Sequence, residues 1–180
     1  MTLCTALVSR ARRFLSEEDG TSLVPFAIWT PLVLILILST IELGTVTIRN
    51  TALERAMDDS VRDLRIGTGT VTDHATLKAA ICESAAVLPD CTDNLQLEMV
   101  ALDMRDWTAP PSSADCVDTA LPVTPNRAFQ NGTENEMMLL RACFKYRPVT
   151  PAGTIASHLA TDNEGFTAIV ATSAFVHEPL

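Results

Sequence analysis

LVPFAIWTPLVLILILSTIEL, Leu23 to Leu43, holds 21 residues and a single charge, Glu42. Wound as an α-helix at about 1.5 Å per residue, it extends roughly 30 Å, the thickness of a hydrocarbon core. Its centre, LVLILIL, leaves no polar face. A chain of 180 residues builds one modest core, with too little material to surround such a helix. A secretory signal has a shorter apolar core of roughly 7–15 residues followed by a small-residue cleavage site, and neither is present here. The run therefore reads as a retained membrane span.

Outward on the N-terminal side, residues 1–22 form a short polar head. Arg10, Arg12 and Arg13 supply the positive charge expected on the cytoplasmic side, and SEEDG, Ser16 to Gly20, suits a helix opening. Glu17, Glu18 and Asp19 offset that charge locally. Arg49, Arg55 and Arg62 follow the span, so charge alone does not set the orientation. Pro25 is tolerated near a helix start, whereas Pro31 should bend the span.

On the other side the helix continues in a different style. Leu53, Met57, Val61 and Leu64 recur at helical spacing on one face, with the i,i+4 pairs Arg55–Asp59 and Asp58–Arg62 on an exposed flank. IGTGT, Ile66 to Thr70, marks the break. A second helix fits Thr72 to Leu88, opened by Thr72 or Asp73 and closed by Pro89. Strands fit Leu95 to Met104, Met137 to Tyr146 and Phe166 to Val176. Residues 107–135 and 148–165 read as loops, the second with a helical turn around Ser157 to Ala160. The sum is an α+β chain: a long N-terminal helix, transmembrane in its first half, packed on a small antiparallel sheet. The divisions are 1–22 cytoplasmic head, 23–43 transmembrane helix and 44–180 periplasmic domain.

The cysteines supply the orientation. Cys4 lies alone ahead of the span, while Cys82, Cys91, Cys116 and Cys143 all lie beyond it. An even set confined to one side implies disulfides in an oxidising compartment. Of three possible pairings, order and spacing favour Cys82–Cys91 and Cys116–Cys143. Zinc is the rival, but no C-x₂-C pair occurs and the histidines are scattered. From Thr45 onward, ten Lys and Arg stand against eighteen Asp and Glu, a balance of −8 within the chain's −9. That balance argues against nucleic acid and anionic surfaces as partners of the domain.

Both ends of the chain resemble TadE-like proteins of the type IV pilin-like superfamily. Those begin with a basic head, then a glycine, four residues, a glutamate, an aromatic, and a proline five residues later. Here Gly20 is followed by TSLV, Pro25 and Phe26, with Pro31 five residues beyond. IELG, Ile41 to Gly44, is similar to the acid–glycine close of the family's span, and AFVHEPL, Ala174 to Leu180, to its aromatic-x-x-Glu-Pro ending. The resemblance implies a pilin-like fold and cleavage by a prepilin peptidase between Gly20 and Thr21, with Phe26 in the recognition pattern. It also implies other pilin-like subunits and the Tad pilus machinery as partners, at the bacterial inner membrane. Pro25 replaces the family's glutamate, whose carboxylate neutralises a neighbour's new amine inside an apolar bundle. Either the chain is unprocessed, or it occupies an end or initiating position where no such pairing occurs.

Other polar residues read more simply. Glu42, about 28 Å along the helix from Leu23, should rest among headgroups and water. Glu54, Asp58, Asp59 and Asp63 interleave with arginines as a solvated face. His74, His158 and His177 read as surface residues, with no metal or acid–base spacing. Asn131-Gly132-Thr133 is formally a glycosylation acceptor but first of all a turn. No nucleophile–base constellation and no nucleotide fingerprint occurs, so neither an enzyme nor a cofactor or small-molecule site is expected. Ser39, Thr40 and Gly44 form a small-residue patch suited to close helix approach. The leading expectation is a minor pseudopilin-like assembly subunit. The alternative is a bitopic, membrane-anchored periplasmic binding or sensor module, against which the short head counts.

Overall fold

The computed structural model describes residues 22–66, 73–118, 129–149 and 161–178. The first element among the described residues is α1, Leu23–Ile66, an unbroken helix of 44 residues. Two short helices follow, α2 (His74–Ser84) and α3 (Cys91–Asn94), then the strands β1 (Leu95–Ala101), β2 (Met137–Tyr146) and β3 (Thr167–Val176). The strands form one antiparallel sheet in the order β1-β2-β3. The protein is thus α+β, a long apolar N-terminal helix packed on a small three-stranded sheet.

Alternation along the strands explains the packing. Side chains two residues apart share a face, so Leu95, Leu97 and Met99 of β1 align with Phe144, Ala142 and Leu140 of β2. Ile169 and Ala171 of β3 continue the same rows. This face buries the second half of α1, with Leu53, Ala56, Met57, Val61 and Leu64 in the core, together with Leu77 and Ile81 of α2. The stripe read from helical spacing is therefore the sheet-facing one.

The opposite face is also partly covered, which alternation does not announce. Gln96, Glu98, Arg141 and Cys143 are buried there. Cys116 is bonded to Cys143, and the chain near it lies over β1 and β2, where the Pro111 carbonyl accepts from Arg141 Nη1 at 2.6 Å. The other bridge joins Cys82 to Cys91, whose Cα atoms are 5.6 Å apart.

Several element ends differ from expectation. Asp73 caps α2 in a reciprocal capping box with Thr76, but the helix stops at Ser84, short of Leu88. The bridge requires the chain to reverse within nine residues, and it does so through Asp90 at φ 48°. β1 ends at Ala101 rather than Met104 because the Asp103 carboxylate accepts the amides of Arg105 and Asp106, drawing the backbone into a turn. Phe129, expected in a loop, forms a parallel bridge to Met99 at the edge of β1. The reversal expected at Asn131-Gly132 falls later, at Asn135 with φ 62°. Gly132 instead lies so close to β2 that a Cβ would sit 2.7 Å from Met138 Cγ. The expected break over 67–70 and the turn at Ser157 to Ala160 lie outside the described residues.

Candidate functional site

The candidate surface is α1 itself, which has two unlike faces. One is turned to the protein. Its buried residues, Ser39, Glu42, Leu53, Ala56, Met57, Ser60, Val61 and Leu64, follow steps of three and four, with Val46 packed against the core between them. The other face is bare. Leu23, Val24, Phe26, Ile28, Trp29, every residue from Leu32 to Leu38, Ile41, Leu43 and Ile48 are exposed. The helix is long and apolar enough to cross a membrane, and nearly all of its most apolar stretch is left uncovered by the protein.

The inward face starts earlier than the sequence suggested. Glu42 is fully buried, not resting among headgroups and water as expected. Its carboxylate accepts the amide of Val149 at 3.3 Å, because the chain leaving the end of β2 reaches residue 42. Two turns further along, the head and helix join again. The Arg49 guanidinium lies 4.6 Å from the ring centre of Tyr146, and Tyr146 stacks on Phe144 at 6.2 Å. Burial raises the Tyr146 phenol above its ordinary pKa; Arg49 opposes this and Glu42 reinforces it. Glu42 thus serves the protein's own interior.

The small residues of the expected patch separate. Ser39 is buried on the protein side. Thr40 is exposed, its hydroxyl donating to the Ile37 carbonyl at 2.8 Å. Gly44 is exposed, and a Cβ there would meet nothing within 4 Å. Pro31 sits inside α1 on the bare face, where its missing N–H leaves the Ala27 carbonyl without its usual partner. Phe26 is exposed at the start of the helix, while Gly20 and Thr21 lie outside the described residues.

Glu54, Asp58, Asp59 and Asp63 are all exposed, as a solvated face requires, with Glu54 and Asp58 beside β3. His74 and His177 are half-buried against Phe129 and Phe175 rather than free on the surface, and His158 lies outside the described residues. Among the described residues, no group of three His, Cys, Asp or Glu side chains is placed to hold a metal ion.

A bare helix of membrane-crossing length, continuous with a disulfide-bonded α+β head, is consistent with membrane anchoring. Residues 20–62 match the family model described as TadE-like protein, so this segment is similar to that family. The match takes in the whole apolar run and the first part of the sheet-facing stripe. No curated protein and no solved structure matches the chain.

Proposed function

We propose that the chain is an assembly subunit of a Tad-type pilus, held by α1 in the bacterial inner membrane with its N-terminus cytoplasmic and residues 44–180 in the periplasm. The TadE-like segment supports a role in Tad pilus assembly. The observation that carries the finer reading is the division of α1. Its inner stripe is consumed by its own sheet, and its outer face exposes large apolar residues from Leu23 to Ile48. A helix that needed only to anchor the head would not also have to carry Thr40 and Gly44 uncovered on that outer face. These two are the points where another pilin-like helix approaches. Association in lipid depends on such close packing, since lipid tails are as apolar as leucine.

The burial of Glu42 bears on the missing family glutamate. With Pro25 in that position, Glu42 is the remaining acid of the apolar run, and it is committed to Val149. The subunit then enters at an end or initiating position, where no neighbour's amine has to be neutralised.

Two measurements test the reading together. A phosphatase fused after Leu180 should be active and a cytoplasmic reporter there silent. Deleting the chain should reduce piliation, and restoring it should recover the filament. Active cytoplasmic reporter and full piliation without the chain would overturn the proposal.

A further inference from the structure

The head is not held away from the helix by a linker. Ser39, Glu42 and Val46 continue directly into the core stripe at Leu53, so the head packs on α1 from residue 39 onward. Along a helix the 19 steps from Leu23 to Glu42 cover about 28 Å, close to the hydrocarbon thickness. Glu42 therefore stands at the far boundary of the span. Because the Val149 amide donates to its carboxylate at 3.3 Å, Val149 stands at that depth as well.

The surroundings at this level have the character of a bilayer interface. Ile41, Leu43 and Ile48 are 47%, 56% and 55% exposed on α1, and Val149 is 51% exposed beside them. Ile48 lies about 9 Å beyond Glu42, so the apolar girdle continues past the core boundary and stops within the headgroup region. A cationic side chain joins it there. Arg147 is exposed and lies over the half-buried Phe166 at 4.7 Å, whereas Arg49 turns inward over the buried Tyr146. Long cationic side chains and aromatic rings favour this depth, with apolar stems in the boundary and charges toward water and phosphate. The acid at the same level is withdrawn from lipid by the head, which removes the cost of an exposed carboxylate there.

We propose that the end of β2 and the residues after it, Arg147 to Val149, dock into the outer interface of the bilayer that α1 crosses, with Val149 inserted among lipid headgroups. The head then sits on the membrane in one fixed orientation, presenting the Thr40 and Gly44 side of α1 to neighbours instead of swinging on a tether. This rests on the reading of α1 as a membrane span.

Depth-dependent quenching on the full chain separates the two. With Cys4 replaced by Ser, a single cysteine is introduced by Val149→Cys, Leu34→Cys, Leu43→Cys or Glu134→Cys. Each variant is labelled with an environment-sensitive fluorophore and placed in phosphatidylcholine–phosphatidylglycerol nanodiscs. The Val149 probe should lose emission to lipid carrying a nitroxide near its headgroup, to the same extent as the Leu43 probe. The Leu34 probe should be quenched by a nitroxide deep in the acyl chain, and the Glu134 probe by a water-soluble quencher alone. A Val149 probe quenched from water only, with Leu34 still quenched by deep nitroxide, would overturn the docking and leave the span. Shielding of Val149 from both quenchers would overturn it too, since protein rather than lipid would then cover the site. An unquenched Leu34 probe would remove the span and the docking together.

Discussion

Arg141 and Glu98 stand directly opposite each other on β2 and β1, with Arg141 Nη2 2.7 Å from both carboxylate oxygens. Both side chains are more than nine-tenths buried. The pair is closed by neighbours, with Pro111 accepting from Arg141 and the Asp115 amide donating to Glu98 at 3.2 Å. Buried charges of this kind are costly to take from water, so removing one leaves the other uncompensated. Arg141→Ala should destabilise the head by about 3–5 kcal/mol in urea unfolding of the detergent-solubilised chain. The Glu98→Leu, Arg141→Met double variant should cost less than the sum of its singles, with a coupling of about 0.5–3 kcal/mol. Additive effects would show that the two charges do not act as a pair.

The two disulfides should differ in worth. Cys82–Cys91 closes a separation of nine residues, and Cys116–Cys143 closes 27. Restriction of the unfolded chain then gives about 2.6 kcal/mol for the first and about 3.5 kcal/mol for the second. Replacing the Cys116–Cys143 pair by serines should therefore lower the unfolding midpoint more, and should expose the chain over Arg141 to proteolysis first. Non-reducing peptide mapping should find both pairs linked and Cys4 free. Four reduced outer cysteines in envelope-derived protein would remove this prediction.

The halves of α1 should respond differently to substitution. Met57 is buried in the core, and Met57→Asp places an unpaired charge against the sheet. A loss of about 3 kcal/mol or more is expected, enough to unfold a marginal head. At Gly44 a larger side chain meets open space. Gly44→Leu should leave the melting of the head unchanged or slightly raised, since glycine weakens a helix interior by about 1 kcal/mol. The same change should weaken crosslinking to other pilus components and reduce piliation. Intact crosslinking in both Gly44→Leu and Thr40→Leu would make the helix an anchor only.

His74 provides a pH signature. Its ring meets Phe129 edge-on at 5.1 Å, and its Nε2 is buried without a hydrogen-bond partner among the described residues. Burial pushes its pKa below the ordinary 6.5, Lys78 pushes the same way, and Asp73 opposes. The unfolded chain therefore takes up the proton first as pH falls. The associated stability is complete above the unfolded pKa and is lost as pH drops toward the folded one. Melting temperature should fall more steeply as pH drops below about 6.5 in the wild-type chain than in His74→Gln. Parallel curves would show that His74 carries no such burden.

Hydropathy and period are local properties, and they sufficed for much of this protein. The uncharged run from Leu23 to Ile41 specifies a helix of membrane length, and the spacing of Leu53, Met57, Val61 and Leu64 identifies the face that meets the sheet. Alternating or continuous apolar runs placed the three strands to within a few residues, with β1 cut short where Asp103 turned the chain, as the Cys82–Cys91 bridge cut short α2. Depth and partnership are different, because they depend on which distant segments arrive. Glu42 looked like an interfacial acid until Val149, 107 residues away, came to cap it. Ser39 looked like a neighbour of Thr40 and Gly44, yet it is buried on the protein side of α1, one turn from Glu42. The covered outer face at Glu98 and Arg141 likewise required the chain near Cys116 to fold back over it. A charge in sequence carries no record of the group that will desolvate it, so its role emerged only once the fold had brought that group alongside.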